Sequence, residues 1–469
     1  MLDHDQMSET RPPEAAFRDE AGALRQDFLD RVSDAVRHHD SAVLRDLVGG
    51  LHEADTGDLI EALDSDLRSQ LIELMGKDFD FSALTEVDAT VRGEILNELP
   101  PETVAEGVRE LDSDDAVYIL EDLDRDEQVE ILDKLPPVER VALERSLLYP
   151  QESAGRRMQT EFIAVPPDWK VGQAIDYMRE TADLPDRFYE LYVVGPSGKF
   201  LGAVALDRLL RTKRPVPVVE LMDEERRRVR ATEDQEEVAR QFERYNLVAA
   251  PVVDEDDRLV GVLTFDDIVD VIQQEAEEDI KALGGVTGEE ELSDSVLVTS
   301  RLRLPWLVIN MGTAFVAATV ISFFEATIAQ VVAVAFLMPV NAALGGNAGT
   351  QALTVAVRAL ATQELNSSNR VRIIIRECLV GLVNGCALAI LAGAAAALIF
   401  GNVKLGMVLS AAMVLTVMFA TTLGILVPLT LNHLKIDPAV ASGVFVTTIT
   451  DVFGFFVFLS FATLVFRAL

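Results

Sequence analysis

The 469-residue chain changes its chemistry near residue 301, and this change constrains the fold more than any single motif does. The net charge is −36, from 77 Asp and Glu against 41 Lys and Arg. Residues 301–469 hold only 5 of those acids (Glu325, Glu364, Glu377, Asp437 and Asp451) and 9 of the bases. Taking these from the totals leaves 72 acids against 32 bases in residues 1–300, an excess of 40 negative charges. An acidic part suited to water is therefore joined to a weakly basic part that is mostly hydrocarbon.

The acidic balance argues against nucleic acid as a partner, because a phosphate backbone is bound by neutralising it with Lys and Arg. Cations fit such a surface better, although acidic side chains that only maintain solubility are the plainer reading of charge alone. Cys378 and Cys386 share one apolar segment without metal-like spacing, so neither a disulfide framework nor a zinc site is indicated. The polar start "MLDHDQMSETRPPEAAFRDE" has no apolar core of the signal-peptide type, so the acidic part is expected to stay in the cytoplasm.

A bilayer-crossing helix takes about 20 apolar residues. The sequence predicts five, at about 304–324, 328–357, 378–400, 405–431 and 438–466. The second contains Pro339 and the pair Gly345-Gly346, which predict a kinked or interrupted helix. With the N-terminus inside, Arg301, Arg303, Arg358, Arg370, Arg372, Arg376 and Lys435 are cytoplasmic, while Lys404, Arg467 and the C-terminus lie outside. This bias follows the positive-inside rule. Two G-x-x-x-G pairs, Gly345/Gly349 and Gly381/Gly385, predict close helix packing.

Asp451 interrupts the apolar and hydroxyl run "VFVTTITDVFGFFVFLS". It lies about 20 Å along a helix from Pro438, well inside a bilayer. A carboxylate there costs about 2.5 to 3.5 kcal/mol on insertion scales, so it needs a wet cavity or a partner. No Lys or Arg lies within the spans to pair with it, which favours a cation pathway over a structural hydrogen bond. Thr447 and Gly443 lie one and two turns back on the same face. Oxygen donors without His or Cys suit Mg²⁺, Ca²⁺ or an alkali ion.

In the acidic half, "ELYVVGPSGKFLGAVALDRLL" and "AAPVVDEDDRLVGVLTFDDIV" align at an offset of 59 residues, each reading as strand, turn, strand, helix. The duplication resembles a tandem pair of CBS domains, regulatory modules that often bind adenosine nucleotides. The second copy keeps the ribose-holding signature as Gly261, Thr264 and Asp267. The first has Gly202, Ala205 and Arg208 there, without hydroxyl or carboxylate. ATP binding and a purely structural pair both remain open. Ahead of the pair, "ILNELPPETV", "ILEDLDRDEQV" and "ILDKLPPVERV" recur at multiples of 12, with "VRELDSDDAV" near the missing register, and predict a right-winding helical solenoid.

With "MPVNAALGGNAGTQALTVAVRALA" and "IDPAVASGVFVTTITDVFG" added, nearly the whole chain resembles the MgtE family of magnesium channels and transporters. The expected fold is multidomain. A disordered start (1–20) precedes an α-helical solenoid N-domain (21–150), two α/β CBS domains (151–213 and 214–273), a connecting or plug helix (274–303) and an all-α five-span transmembrane domain (304–469). The resemblance implies a homodimer in a bacterial-type plasma membrane, importing Mg²⁺ between subunits along the last helix. It maps the central Mg²⁺ ligand onto Asp451 and sets Asp437 at the cytoplasmic mouth. It also implies closure by intracellular Mg²⁺ on acidic residues, with Glu275, Glu278, Asp279, Asp294, Asp223, Asp112, Asp114 and Asp115 as candidates.

One departure is Val444, where the family carries proline in "DPA-x-x-S-x-P"; valine predicts a helix that runs straight through. No nucleophile or metallohydrolase motif is present, so an enzyme is not expected. A proton- or sodium-coupled transporter and a membrane-anchored nucleotide sensor that transports nothing stay as alternatives.

Overall fold

The structure, a computed structural model, describes residues 17–181, 184–185, 187–286, 290, 293–362, 364–365 and 369–467. It divides into two compact units, Met1–Glu275 and Ala276–Leu469. Residues 1–16 of the expected disordered start lie outside the described residues. Phe17 is 3% exposed and packs on Phe28, so the N-domain core already includes residue 17.

Among the described residues nine α-helices run from Gln26–Arg37 to Pro137–Leu147. Helices starting at Ala89, Pro101, Ser113, Arg125 and Pro137 repeat the 12-residue period seen in the sequence. Each turn buries an apolar pair: Ile95-Leu96, Ile119-Leu120 and Ile131-Leu132. In the remaining register stands Gly107, where a Cβ would overlap the Phe81 ring, so the aromatic ring supplies the bulk that the missing isoleucine does not. The starts are chemically marked. Asp88 accepts from the Thr90 and Val91 N–H groups, Glu127 accepts from the Asp124 N–H, and Pro101 and Pro137 open their helices. The helix Ser113–Glu121 is called α1.

The CBS pair forms two three-stranded sheets, β1-β2-β3 (Ala164–Val165, Glu190–Val194, Phe200–Ala205) and β4-β5-β6 (Val229–Arg230, Ala249–Val253, Leu259–Thr264). In each the first pairing is parallel and the second antiparallel. Leu191 faces Val204 and Ala250 faces Leu263, with irregularities at Val193/Val194 and Val252/Val253. The 59-residue offset therefore holds down to the bulge. Tyr192, Phe200, Ala203, Ala249, Val253 and Val262 form a core shared by the two sheets. The helix Gln235–Tyr245 is α2.

Helix α3, Phe265–Leu283, continues directly from β6. Residues 274–303 are thus not one connecting helix. Residues 274–283 end α3, and the first membrane-type helix starts at Val296. The break follows from Gly284 and Gly285. Gly285 takes φ +74, and the Val286 N–H turns back onto the Lys281 carbonyl.

The second unit contains α4 (Val296–Ser322), a short helix Glu325–Gln330, α5 (Ala333–Ala361), α6 (Arg370–Phe400), α7 (Val403–His433) and α8 (Pro438–Arg467). Among the described residues four segments are long and apolar enough to cross a membrane: Val296–Ser322, Arg370–Phe400, Val403–His433 and Gly443–Phe466, with mean hydropathy of 1.8 to 2.2. At 29 residues α5 has the length, but Asn341, Asn347 and Gln351 lower its apolarity. Of the kink or interruption expected at Pro339 and Gly345-Gly346, the interruption is absent there; the helix breaks earlier, at residues 331–332. The glycines serve close approach instead. Gly345 and Gly349 lie against Thr416, Val446 and Thr450, while Gly381, Gly385 and Gly393 lie against Thr421, Val414 and Ser410. Helix α8 runs unbroken past Val444, as valine in place of proline predicts.

Candidate functional site

Helix α8 has two unlike faces. Val446, Thr450 and Gly454, four residues apart, are buried against α5 and α7. One residue round the helix, Gly443, Thr447 and Asp451 are exposed or half-buried. Thr447 donates its hydroxyl hydrogen to the Gly443 carbonyl at 2.9 Å, and Thr448 donates to Val444 at 2.6 Å. Each hydroxyl oxygen keeps its lone pairs for an incoming cation or its water. Among the described residues the Asp451 carboxylate forms neither an ion pair nor a hydrogen bond. Asp437 is exposed and accepts from the Ala439 N–H at 2.8 Å, so it caps α8.

Within the same unit, the end of α3 meets the start of this face. A Cβ on Gly443 would lie 3.7 Å from the Leu283 carbonyl, and Ala282 is buried with Leu353, Val357, Ala439 and Val446. That carbonyl belongs to the negative end of the α3 dipole.

A second convergence of acids lies in the first unit. Asp112, Asp114 and Asp115 open α1, and Asp266, Asp267 and Asp270 open α3. Asp267 accepts from the Thr264 hydroxyl and N–H, and it lies against Asp114, whose raised pKa favours the protonated acid. Asp114 Oδ1 is buried without a hydrogen-bond partner among the described residues. Burial, then the neighbouring Asp267 and Asp115 charges, pushes Asp114 well above the usual carboxylate range. Asp115 is pushed up to about 7 by burial, Asp267 and Asp112. Burial carries Asp267 to about 6, against the bonds from Thr264 and Asp114. Burial and Asp266 raise Asp270; burial, Asp270 and Glu53 raise Glu86. Such like charges converge stably when they share protons or a divalent cation. Among the described residues no three acidic, His or Cys side chains are set at ligand distance.

Beside this cluster the N-domain and CBS pair are joined by a mixed network. Arg157 bonds Glu121 at 3.1 Å and Gln235 on α2 at 3.1 Å, and Gln235 donates to Glu275 at 2.7 Å. Arg92, 1% exposed, lies 4.3 Å over the Tyr118 ring and bonds Asp122.

The sequence candidates are thus distributed. Asp112, Asp114 and Asp115 come together, and their partner is Asp267, which the sequence marks as a ribose ligand. Asp223 stands apart, accepting from the Glu225 N–H at 3.1 Å while its backbone pairs with Ala203. Glu275 meets Gln235 in the first unit; Glu278, Asp279 and Asp294 belong to the second. Asp266, Asp270, Glu53 and Glu86 were missed, although "TFDDIVD" carries three acids on little more than one helical turn. In the nucleotide signature Gly261 allows close packing on Met158 and Gln159, and Thr264 bonds Asp267.

An acidic soluble half joined to apolar helices, the last of which bears a lone carboxylate, defines a membrane transporter for cations. Three family models agree. "Divalent cation transporter" matches residues 338–461, "MgtE intracellular N domain" 51–152, and "CBS domain" 154–214 and 218–274. The magnesium transporter MgtE of Bacillus subtilis (strain 168) is 34% identical over 325 residues, covering 69% of this chain and 72% of that protein. The magnesium transporter MgtE of Thermus thermophilus is 36% identical over 336 residues, 71% of this chain and 74% of that protein. A solved cytosolic domain of the Mg²⁺ channel MgtE in complex with ATP covers 52% of this chain and 99% of its own, at 29% identity and a TM-score of 0.48. The chain belongs to the MgtE family of magnesium transporters, and it is not an enzyme.

Proposed function

We propose that the protein imports Mg²⁺ down its electrochemical gradient along the Gly443–Thr447–Asp451 face of α8, and that Mg²⁺ bound to its acidic soluble half closes this path. The observation that carries the reading is Asp451, a carboxylate in an apolar helix, half-buried and without a protein partner among the described residues. Mg²⁺ dehydrates reluctantly and is held through a few carboxylates plus retained water. A carboxylate and outward-facing hydroxyl oxygens suit such a hydrated ion.

In this reading α5 also spans the membrane and brings the total to five, the acidic half is cytoplasmic, the C-terminus is outside, and the membrane is the plasma membrane. Phe265, Val269 and Ile272 leave an apolar stripe on α3 exposed, which supports a homodimer. For closure, Asp114, Asp115 and Asp267 are the first candidate Mg²⁺ ligands, because their charges act on one another and Asp114 Oδ1 has no hydrogen-bond partner among the described residues; a bound ion would have to draw them closer together. Glu275, Glu278, Asp279, Asp294 and Asp223 are further candidates. The seat of Leu283 beside Gly443 supports α3 as the element that reports their state to the path. An ion shifts such an equilibrium only by its differential affinity for the two states, so several sites acting together steepen the response. ATP at Thr264 and Asp267 is a secondary proposal; in this arrangement it competes with Asp114 for the carboxylate.

The test is Mg²⁺ influx into proteoliposomes holding the wild type or Asp451→Ala, with insertion matched. Wild-type flux that follows the Mg²⁺ gradient, ignores pH and Na⁺ gradients and disappears in the variant is expected. Equal flux in both proteins overturns the pore reading, and dependence on a pH or Na⁺ gradient turns it to coupled transport.

A further inference from the structure

Asn341 is a polar residue in an otherwise small-residue seam. Asn341, Gly345 and Gly349 stand four residues apart on α5, all buried, and Gly345 and Gly349 pack on α8 at Thr450 and Val446. The carboxamide Nδ2 of Asn341, itself 0% exposed, donates to the Gly454 carbonyl of α8 at 3.1 Å and to the Thr416 hydroxyl of α7 at 3.2 Å. The Gly454 carbonyl can only accept, which fixes the orientation of the amide. A Cβ on Gly454 would lie 3.2 Å from both Asn341 Nδ2 and Thr416 Cγ2, so a side chain there would press directly on this junction. Asn341 Oδ1 is buried and has no hydrogen-bond partner among the described residues.

These facts separate two roles. For packing alone an apolar side chain would serve better, because a buried unpaired carbonyl oxygen costs about 1–3 kcal/mol. Glycine seams hold helices by close contact but offer few protruding side chains to oppose rotation about the helix axis. A directed bond to one backbone carbonyl opposes it. Gly454 lies three residues beyond Asp451, about 4.5 Å along α8. The buried line 446/450/454 and the open line 443/447/451 differ by one residue, about 100° of rotation.

We propose that Asn341 is a positioning residue: its bonds to Gly454 and Thr416 set the rotation of α8 about its own axis, and so the direction in which Asp451 faces. The proposal rests on the reading of Asp451 as the pore ligand. Removing the bonds lets α8 turn, drawing Asp451 off the path and bringing Thr450 towards it.

The test uses the full-length protein in liposomes, with Cys378→Ala and Cys386→Ala as background. Single cysteines replace Thr447, Thr450 or Met413 and are probed with a water-soluble thiol reagent. With Asn341 present, position 447 reacts while 450 and 413 are protected. With Asn341→Leu, position 450 is expected to react at least about tenfold faster, 413 stays protected, and Mg²⁺ flux in the cysteine-free background falls about tenfold. Thr416→Val, which deletes one bond, moves both readouts the same way by less. An unchanged labelling pattern overturns the proposal, whether or not flux falls. So does faster labelling at 413 together with 450, because that is loosening of the whole bundle. Retained flux in Asp451→Ala would instead remove the pore reading and leave the rotation result standing.

Discussion

Helices of the first unit are fastened at their ends by charge, and those of the second are fastened along their length by the absence of side chains. In residues 1–275, carboxylates cap helices, Arg92 is buried over Tyr118, and six aspartates meet where α1 and α3 begin. In residues 276–469, Gly381, Gly385 and Gly393 bring α6 onto α7, and Gly345 and Gly349 bring α5 onto α8. Solvent explains the contrast. Water makes end-charges cheap to keep and lets apolar burial drive packing. In lipid, burial of apolar surface between helices brings little gain, so van der Waals contact at short range takes over. The first unit can therefore carry acids over much of its length, while in the apolar helices of the second a carboxylate as deep as Asp451 is costly to keep.

The largest expected effect breaks the lipid-side rule. Gly393→Leu forces a side chain into Ser410 and the Gly406 carbonyl and should cost about 3 kcal/mol or prevent assembly of the helices. The thermal midpoint of the purified protein reads this. Gly312→Ala, where nothing lies within 4 Å, should leave that midpoint unchanged or slightly higher. Equal losses at both positions would show that the seam is not what holds the unit.

Next comes the buried arginine. Arg92→Met leaves Asp122 and the carbonyls of Leu84 and Val87 without their donor, and should cost the first unit about 3 kcal/mol in denaturant titration. A loss below about 0.5 kcal/mol would mean that the aromatic contact alone sufficed.

The acidic junction sharpens the comparison through pH. Burial and neighbouring charge push Asp115 up to about 7 and burial carries Asp267 to about 6, above the ordinary carboxylate range, so the folded unit binds more protons than the unfolded chain in that interval. Its stability should therefore be greatest at the acid end and fall as pH rises from about 4 to about 7. Melting of the full-length protein in chelator checks the sign. Added Mg²⁺ should flatten the slope, and Asp115→Asn should remove part of it; a rise in stability across the interval would contradict the assigned shifts.

The smallest effect is a helix start. Asp88→Ala, which leaves the N–H groups of Thr90 and Val91 unsatisfied, should cost about 1 kcal/mol in the same denaturant titration.

Much of this architecture is legible because its signals are periodic. The 59-residue offset matches the hairpin of each sheet to the residue, though not the first strands, which lie 65 apart, and the 12-residue period matches helix starts from Ala89 to Pro137. Other features are not legible. Pro339 and Gly345-Gly346 read as a kinked or interrupted helix; the interruption is absent, and α5 runs through both while its neighbours use the glycines' small size. Residues 274–303 read as one connector, while Gly284-Gly285 divides them. Asp267 reads as a ribose ligand from its local motif, and only the approach of α1 shows it facing Asp114.

From residues alone come the two solvents this chain must live in, the duplicated module, the family, and Asp451 as an acid with no business in hydrocarbon unless an ion comes to it. These depend on composition and short-range spacing, which any stretch of chain carries with it. Which face of α8 is open, which acids lie close enough to raise one another's pKa, and that Asn341 ties α5 to Gly454 of α8 and Thr416 of α7 were decided by tertiary structure. Each depends on an approach between segments far apart in the chain, and the energy of that approach lies in packing and desolvation that no single segment contains.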